Sequence, residues 1–143
     1  MTRQEVKQFI QSGAELLNVP FDTGRISEFN SDRYHTYPFI FLETISSSTA
    51  LNNSLPTDTW IIKIHIASKD NVDSVQSQYE ELIDNADVVG QKLVKRYNDI
   101  LEFHNLVTIA NITRTPFIKK YADCLTGIIL NFTLKVQDTS GCD

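Results

Sequence analysis

The sequence predicts an α+β domain in which an N-terminal helix and one long central helix pack on one face of an antiparallel sheet of four or five strands. Apolar residues recur at steps of three and four from Asn71 to Leu101, which is the spacing of one face of an α-helix. Segments rich in branched and aromatic residues precede and follow this helix, as is typical of strands. The members of each strand pair follow one another without a helical crossover, so each pair is most simply a hairpin. The expected order is helix, strand, strand, long helix, strand, strand.

The length and composition predict a single domain over residues 1–143. A chain of 143 residues, 41% of them hydrophobic, is large enough to bury a core. Its net charge of −5 argues against a general nucleic-acid binder, which needs a basic surface to neutralise phosphates. The apolar runs are too short to cross a bilayer and the first residues do not resemble a signal peptide. We therefore expect cytoplasmic synthesis and no membrane partner.

The first 45 residues are expected to form one helix and one or two strands. Thr2 and Glu5 have the spacing of a capping box, which predicts a helix that begins there and ends near Asn18. Residues 25–29 are a candidate edge strand. Residues 36–45 are a better one because they are rich in aromatic and branched side chains.

A loop and a clear strand are expected next. Residues Ser46–Thr57 are polar, lack periodicity and contain neither Lys nor Arg, so they predict a long mobile loop between two antiparallel strands. Asp58–Ala67 is the clearest strand, because alternate residues form a wholly apolar face: Trp60, Ile62, Ile64 and Ile66. The opposite face of the sheet is mixed and is expected to meet solvent or a polar interface.

The central helix is longer than the sheet is wide. About thirty helical residues span about 45 Å, whereas four or five strands span about 20 Å. The overhanging apolar stripe needs the first helix or a neighbouring subunit as a partner, and Asn85 and Gly90 are the expected places for a bend. The first half of the helix is acidic and the second half basic. That order complements the helix dipole and would also suit head-to-tail packing of identical subunits.

The C-terminal part is expected to form the second strand pair. Leu106–Thr113 and Cys124–Gln137 are the predicted strands, and Arg114–Asp123 connects them, with Pro116 as a breaker. Residues 138–143 form a polar tail that we expect to fray.

No residue pattern predicts a catalytic, cofactor-binding or metal-binding site. His35, His65 and His104 lack the spacing of metal ligands. Motifs for nucleophilic catalysis and for phosphate-binding loops are missing from the sequence as well. Cys124 and Cys142 are expected to be free thiols in a reducing compartment.

One segment is a candidate partner contact, formed by Pro116, Phe117, Ile118, Lys119 and Lys120. In one interpretation, Phe117 and Ile118 insert into a partner and the basic residues surround them. In the other, both apolar side chains fold back onto the core and the charges are solvated.

Several features together resemble the tail-terminator or tail-completion proteins of tailed bacteriophages. The resemblance covers most of the chain: its size, the first helix, Tyr37–Glu43 entering the first main strand, Trp60–Ile66, the long helix and the closing strand pair. Proteins of this kind form hexameric rings in the phage neck that close the tail tube and join it to the head connector, without catalysis. The resemblance implies a virion protein made in the host cytoplasm, with itself, tail-tube proteins and connector proteins as partners, through which DNA passes without specific binding.

Two alternatives stay open at this point. The chain could be a monomeric or dimeric interaction adaptor, for which a small two-fold interface would be evidence. It could also be a small α+β enzyme with a site on the mixed face of the sheet or under the segment Ser46–Thr57. A deep pocket with converging polar groups and a perturbed pKa would be evidence for the enzyme.

Overall fold

The computed structural model describes residues 2–24, 38–52, 55–101, 107–120 and 124–137. In chain order its elements are α1 (Arg3–Leu16), β1 (Phe21–Gly24), β2 (Phe39–Glu43), β3 (Ser46–Asn52), β4 (Leu55–Lys69), α2 (Gln76–Leu101), β5 (Val107–Lys120) and β6 (Leu125–Gln137). The candidate strand at 25–29 and the polar tail at 138–143 lie outside the described residues.

The predicted fold is wrong in its strand number, its order and its strand directions. The described part of the chain forms a mixed six-stranded sheet, and four strands instead of two precede α2. The sheet is not wholly antiparallel, because β1 pairs with β2 in parallel. The two strands that sequence reasoning missed are β1, which has only four residues, and β3, which is rich in serine. Neither carries the apolar alternation by which a strand is recognised.

The sheet is organised around β4, which has 15 residues. Its length allows β2 and β3 to pair with it in succession along one side, with Leu42 opposite Ile64 and Ser46 opposite Ile61. Strand β6 pairs along its other side, and the full order is β1-β2-β4-β6-β5. Strand β5 is therefore at one edge of the described sheet.

The expected mobile loop at Ser46–Thr57 is instead a β-hairpin. Seven residue pairs join β3 to β4, from Ser46 opposite Ile61 to Asn52 opposite Leu55. The hydroxyl of Thr49 donates a hydrogen bond to Asp58 Oδ1 across 2.6 Å. The backbone ladder and cross-strand polar contacts of this kind hold the ribbon together without an apolar face.

Two further boundaries differ from the sequence prediction, and one agrees with it. Strand β5 runs through the expected connection as far as Lys120, and Pro116 is tolerated there because an edge strand can lack one N–H donor. Helix α2 begins at Gln76 instead of Asn71 and continues without interruption past Asn85 and Gly90. The N-cap of α1 is Thr2, as predicted, and its side chain accepts a hydrogen bond from the backbone N–H of Glu5.

Both helices pack on one face of the sheet and form the main core with it. The buried residues of α1 are Val6, Ile10, Gly13 and Ala14, and those of α2 are Ala86, Gly90, Leu93, Tyr97 and Leu101. They cover the apolar face of β4 and its neighbours on β2 and β6. Helix α1 thereby supplies a partner for the C-terminal part of the long apolar stripe.

The opposite face of the sheet carries a second, smaller apolar cluster. Its buried members are Phe39, Phe41, Ala67, Phe117 and Leu125, from β2, β4, β5 and β6. This face was expected to be mixed and to meet solvent or a polar interface. The aromatic side chains of β2 and β5 make part of it a core instead.

Candidate functional site

The predicted contact segment Pro116–Lys120 lies in strand β5 and not in a loop. Phe117 is 3% exposed and belongs to the second apolar cluster, whereas Ile118 is 45% exposed. Pro116 and Lys120 are exposed as well. The two apolar side chains, which sequence reasoning treated as a pair, therefore have different environments. The prediction that the segment contacts a partner stays a prediction, and Ile118 is the apolar side chain that is accessible for it.

Lys119 ties β5 to the segment that precedes α2. Its Nζ donates hydrogen bonds to the carbonyl oxygens of Val72 at 3.0 Å and Ser74 at 2.7 Å. The same ammonium lies 5.6 Å from the centre of the Tyr79 ring, within the range of a cation–π interaction. Its backbone is left-handed, with φ 50°, at a β-bulge. Lys119 is therefore a structural link.

A hydrogen-bonded junction continues from Lys119 to Asp70. The N–H of Lys119 donates to Thr126 Oγ1, and that hydroxyl donates to Asp70 Oδ2 across 2.6 Å. Desolvation acts to raise the pKa of Asp70, but hydrogen bonds, the strongest of them from Thr126, together with the charge of Lys119 hold it below its usual value. The junction fixes where α2 begins relative to β5 and β6.

A β-bulge in β5 decides which of its side chains reach α2. Ala110 is opposite Thr133 and Thr113 is opposite Asn131, so β5 has one extra residue, and Asn111 adopts a φ of 56°. An extra residue reverses the in–out alternation of a strand. Because of it, Ile112 and Arg114 lie on the same side as Ile109, towards α2.

These side chains form an open groove of about 750 Å³ between α2 and β5, called here the α2–β5 groove. Its apolar lining is Val94, Ile109 and Ile112, and its polar lining includes Lys95, Asn98 and Arg114. Arg114 Nε lies 3.2 Å from Asp87 Oδ1, so this part of the groove carries an ion pair.

A second hollow of about 390 Å³ lies on the other side of α2, towards the end of α1. Its lining residues, Leu17, Lys92, Lys95, Arg96 and Asp99, define the α1–α2 hollow. Lys95 lines both depressions. Lys92 and Lys95 are exposed, and Arg96 is half-buried.

The N-terminal end of α2 and the segment just before it are acidic and carry exposed apolar side chains. Asp73, Glu80, Glu81 and Asp84 are exposed, and Val72 and Val75 are 75% and 60% exposed. These six residues are called the acidic end of α2. Apolar side chains exposed beside charges are a common composition of protein contact surfaces.

His65 is a buried titratable group on the second face of the sheet. Its Nε2 lies 3.5 Å from Glu43 Oε1, and Lys63 Nζ lies 3.5 Å from Glu43 Oε2. Burial lowers the pKa of His65, and Glu43 acts in the opposite direction. The His65 ring packs edge-on against Phe117 at 6.0 Å. Neither the α2–β5 groove nor the α1–α2 hollow includes it.

The other candidate ligands do not converge within the part of the chain that is described. No group of three or more His, Cys, Asp or Glu residues there is arranged to hold a metal ion. Cys124 is a half-buried free thiol, and His35, His104 and Cys142 lie outside the described residues. None of the described helices has the length and apolar character needed to span a membrane.

Comparison of the sequence with models of known protein families found no match, and comparison with curated proteins found no significant match.

Proposed function

We propose that this chain is a non-enzymatic structural protein of a phage virion. It is a subunit of a ring of identical copies, expected to be a hexamer, that terminates the tail tube and joins it to the head connector. The proposal combines the resemblance noted above with one structural observation: the two ends of α2 carry unlike surfaces. One is the acidic end, and the other is the α2–β5 groove with the basic α1–α2 hollow.

A closed ring of identical subunits requires that kind of difference. Its contacts are head-to-tail, so each subunit must offer two different and complementary surfaces. A two-fold dimer, by contrast, joins one surface to itself. Two surfaces of opposite charge at the two ends of one helix favour the ring over the dimeric adaptor.

The edge of β5 is poorly suited to strand addition, which favours side-chain contacts there. The strand contains two bulges, and Pro116 lacks an N–H donor. Bulges and prolines protect sheet edges from pairing with other strands. A neighbouring subunit at this edge would therefore contact side chains of the groove instead of extending the sheet.

The hairpin of β3 and β4 is the proposed contact with the tail tube or the connector. Among the described residues, β6 pairs with β4 as far as Thr57, whereas β3 pairs with β4 as far as Leu55. Leu51 near the tip is 81% exposed. The exposed residues of the segment Pro116–Lys120 are the second proposed contact. The net charge of −5 suits a conduit that DNA crosses without binding.

The experiment that tests the ring is the solution mass across a concentration series, measured by light scattering and followed by negative-stain electron microscopy. The expected result is a mass of six chains, or a rise toward it, and annular particles. A mass that stays at one chain up to the solubility limit overturns the ring.

The virion assignment needs a separate readout. Peptides of this chain should be detected by mass spectrometry in purified virions of the phage that encodes it, at a stoichiometry close to that of one ring per particle. A ring that forms in solution but is missing from virions would overturn the neck assignment while leaving the assembly intact.

A further inference from the structure

The two ends of α2 carry surfaces of opposite net charge, and each surface includes apolar side chains. The α2–β5 groove offers apolar Val94, Ile109 and Ile112, and the acidic end offers the exposed Val72 and Val75. Burial of such apolar side chains against each other favours association. Basic residues outnumber acidic ones around the groove, whereas the charged residues of the acidic end are carboxylates.

The two surfaces keep opposite net charges after the local ion pairs are counted. In the groove, Asp87 already compensates Arg114. Lys92, Lys95 and Arg96 are left in the adjoining hollow, opposed there by Asp99. At the acidic end, four carboxylates are exposed, and the ammonium of Lys119 is bound by the carbonyl oxygens of Val72 and Ser74.

We propose that the α2–β5 groove, with Lys92 and Lys95 beside it, binds the acidic end of α2 of a second copy of this chain. This contact would join neighbouring subunits of the ring. The proposal rests on the proposed function only in expecting that the repeated contact closes into a ring. Val72 and Val75 pack on the apolar lining of the groove, while Asp73 and Glu80 approach the two lysines.

The contact cannot form within one chain. At a rise of about 1.5 Å per residue, Glu80 and Lys95 lie about 22 Å apart along one helix, far beyond the reach of an ion pair. Between two copies, the groove of one chain can bind the acidic end of the other. Each added copy leaves one groove and one acidic end open, so the contact repeats until a ring closes or a filament grows.

The test is a reciprocal charge reversal. Variant A is Lys92→Glu/Lys95→Glu, which makes the groove side acidic, and variant B is Asp73→Lys/Glu80→Lys, which makes the other end basic. Each variant alone should repel its own copies, and its mass should fall to that of one chain. The matched controls are Lys135→Glu and Glu5→Lys, both at exposed positions that line neither the groove nor the hollow. All variants should keep the wild-type circular dichroism spectrum and melting temperature within a few degrees.

The decisive sample is an equimolar mixture of A and B. The acidic groove of A fits the basic end of B, and the basic groove of B fits the acidic end of A, so alternating assemblies should restore the wild-type mass. A chain that carries all four substitutions should assemble by itself for the same reason. Higher salt should weaken each of these assemblies, because it screens the charges.

The other outcomes separate the contact from the ring. Wild-type rings that persist in both variants overturn this contact and leave the proposed function standing. Assembly that is lost in both variants and not restored by mixing also overturns it, because the two surfaces then have other occupants. Restored assembly into open filaments, without rings, supports the contact and overturns the proposed function.

Discussion

The phenol oxygen of Tyr97 donates a hydrogen bond to the carbonyl oxygen of Ile10 across 2.8 Å. Tyr97 is fully buried between α1 and the sheet, and its ring packs against Phe9 at 5.0 Å and Phe132 at 5.8 Å. Burial strongly raises the pKa of its hydroxyl, so the group stays protonated as a donor. This contact joins α1 to the part of α2 that lines the α2–β5 groove and the α1–α2 hollow.

Replacing Tyr97 with Phe should lower the free energy of unfolding by about 1 kcal/mol. The ring stays in place, and only the buried hydrogen bond to Ile10 is lost. The melting temperature should fall by about 3–5 °C for a chain of this size. Thermal unfolding followed by circular dichroism measures it. The control is Tyr79→Phe at a half-buried ring, and an equal effect in both variants would show that the hydrogen bond to Ile10 does not matter.

Replacing Gly13 with Ala should destabilise the protein even though alanine favours a helix. A Cβ at this position would lie 2.3 Å from Tyr97 Cε1, so the ring must move. Overpacking of this kind costs about 1–3 kcal/mol, which exceeds a gain of about 1 kcal/mol in helix propensity. Urea unfolding measures the balance, with Gln8→Ala on the exposed side of α1 as the control. A stabilised Gly13→Ala variant would mean that α1 and α2 are not packed this closely.

Lys119 and Lys120 should respond differently to replacement by Gln. The Lys119→Gln variant loses the ammonium that binds the carbonyl oxygens of Val72 and Ser74, so its melting temperature should fall. Lys120 is exposed, and its variant should melt like the wild type. If the segment Pro116–Lys120 contacts a partner, Lys120→Gln should instead weaken assembly. Equal melting temperatures for both variants would contradict the structural role of Lys119.

Protonation of Asp70 should make the protein less stable in acid. Its pKa is lower in the folded state than the ordinary value of 3.8, so the unfolded chain binds more protons at low pH. The stabilising contribution is therefore present above that value and is lost as pH falls through the folded pKa. The free energy of unfolding of Asp70→Asn should depend less steeply on pH below about 4 than that of the wild type. Parallel curves for the two proteins would exclude Asp70 as a source of the acid sensitivity.

The in–out alternation of side chains along β5 could not be predicted from the order of apolar and polar residues alone. Residues 106–113 were expected as a strand and 114–123 as a connection, because Pro116 is locally typical of a strand breaker. The extra residue between Ala110 and Thr113 reverses the alternation from Thr113 to Phe117, and a second irregularity between Phe117 and Lys120 shifts it again. A pattern of period two does not anticipate an inserted residue, so the placement of Ile112 and Arg114 in the groove could not be derived from it. The different environments of Phe117 and Ile118 follow from ordinary strand alternation, and they were missed because the segment was expected to be a connection.

The sequence by itself determined the elements whose burial is periodic over many residues. These are the first helix with its Thr2 cap, the long helix that ends at Leu101, and the strands containing Trp60–Ile66 and Leu125–Gln137. In each, side-chain spacing alone indicates which face is buried, because the geometry of a helix or strand is local.

The tertiary structure alone decided the pairing partners and the surfaces between elements. The serine-rich strand β3 forms because its backbone pairs with that of β4. Hydrogen bonds between backbones produce no pattern in the order of the side chains. The α2–β5 groove exists because a bulge turns Ile112 and Arg114 towards a helix that is distant in sequence. Contacts between segments far apart in the chain depend on the whole packing arrangement, which local periodicity does not encode.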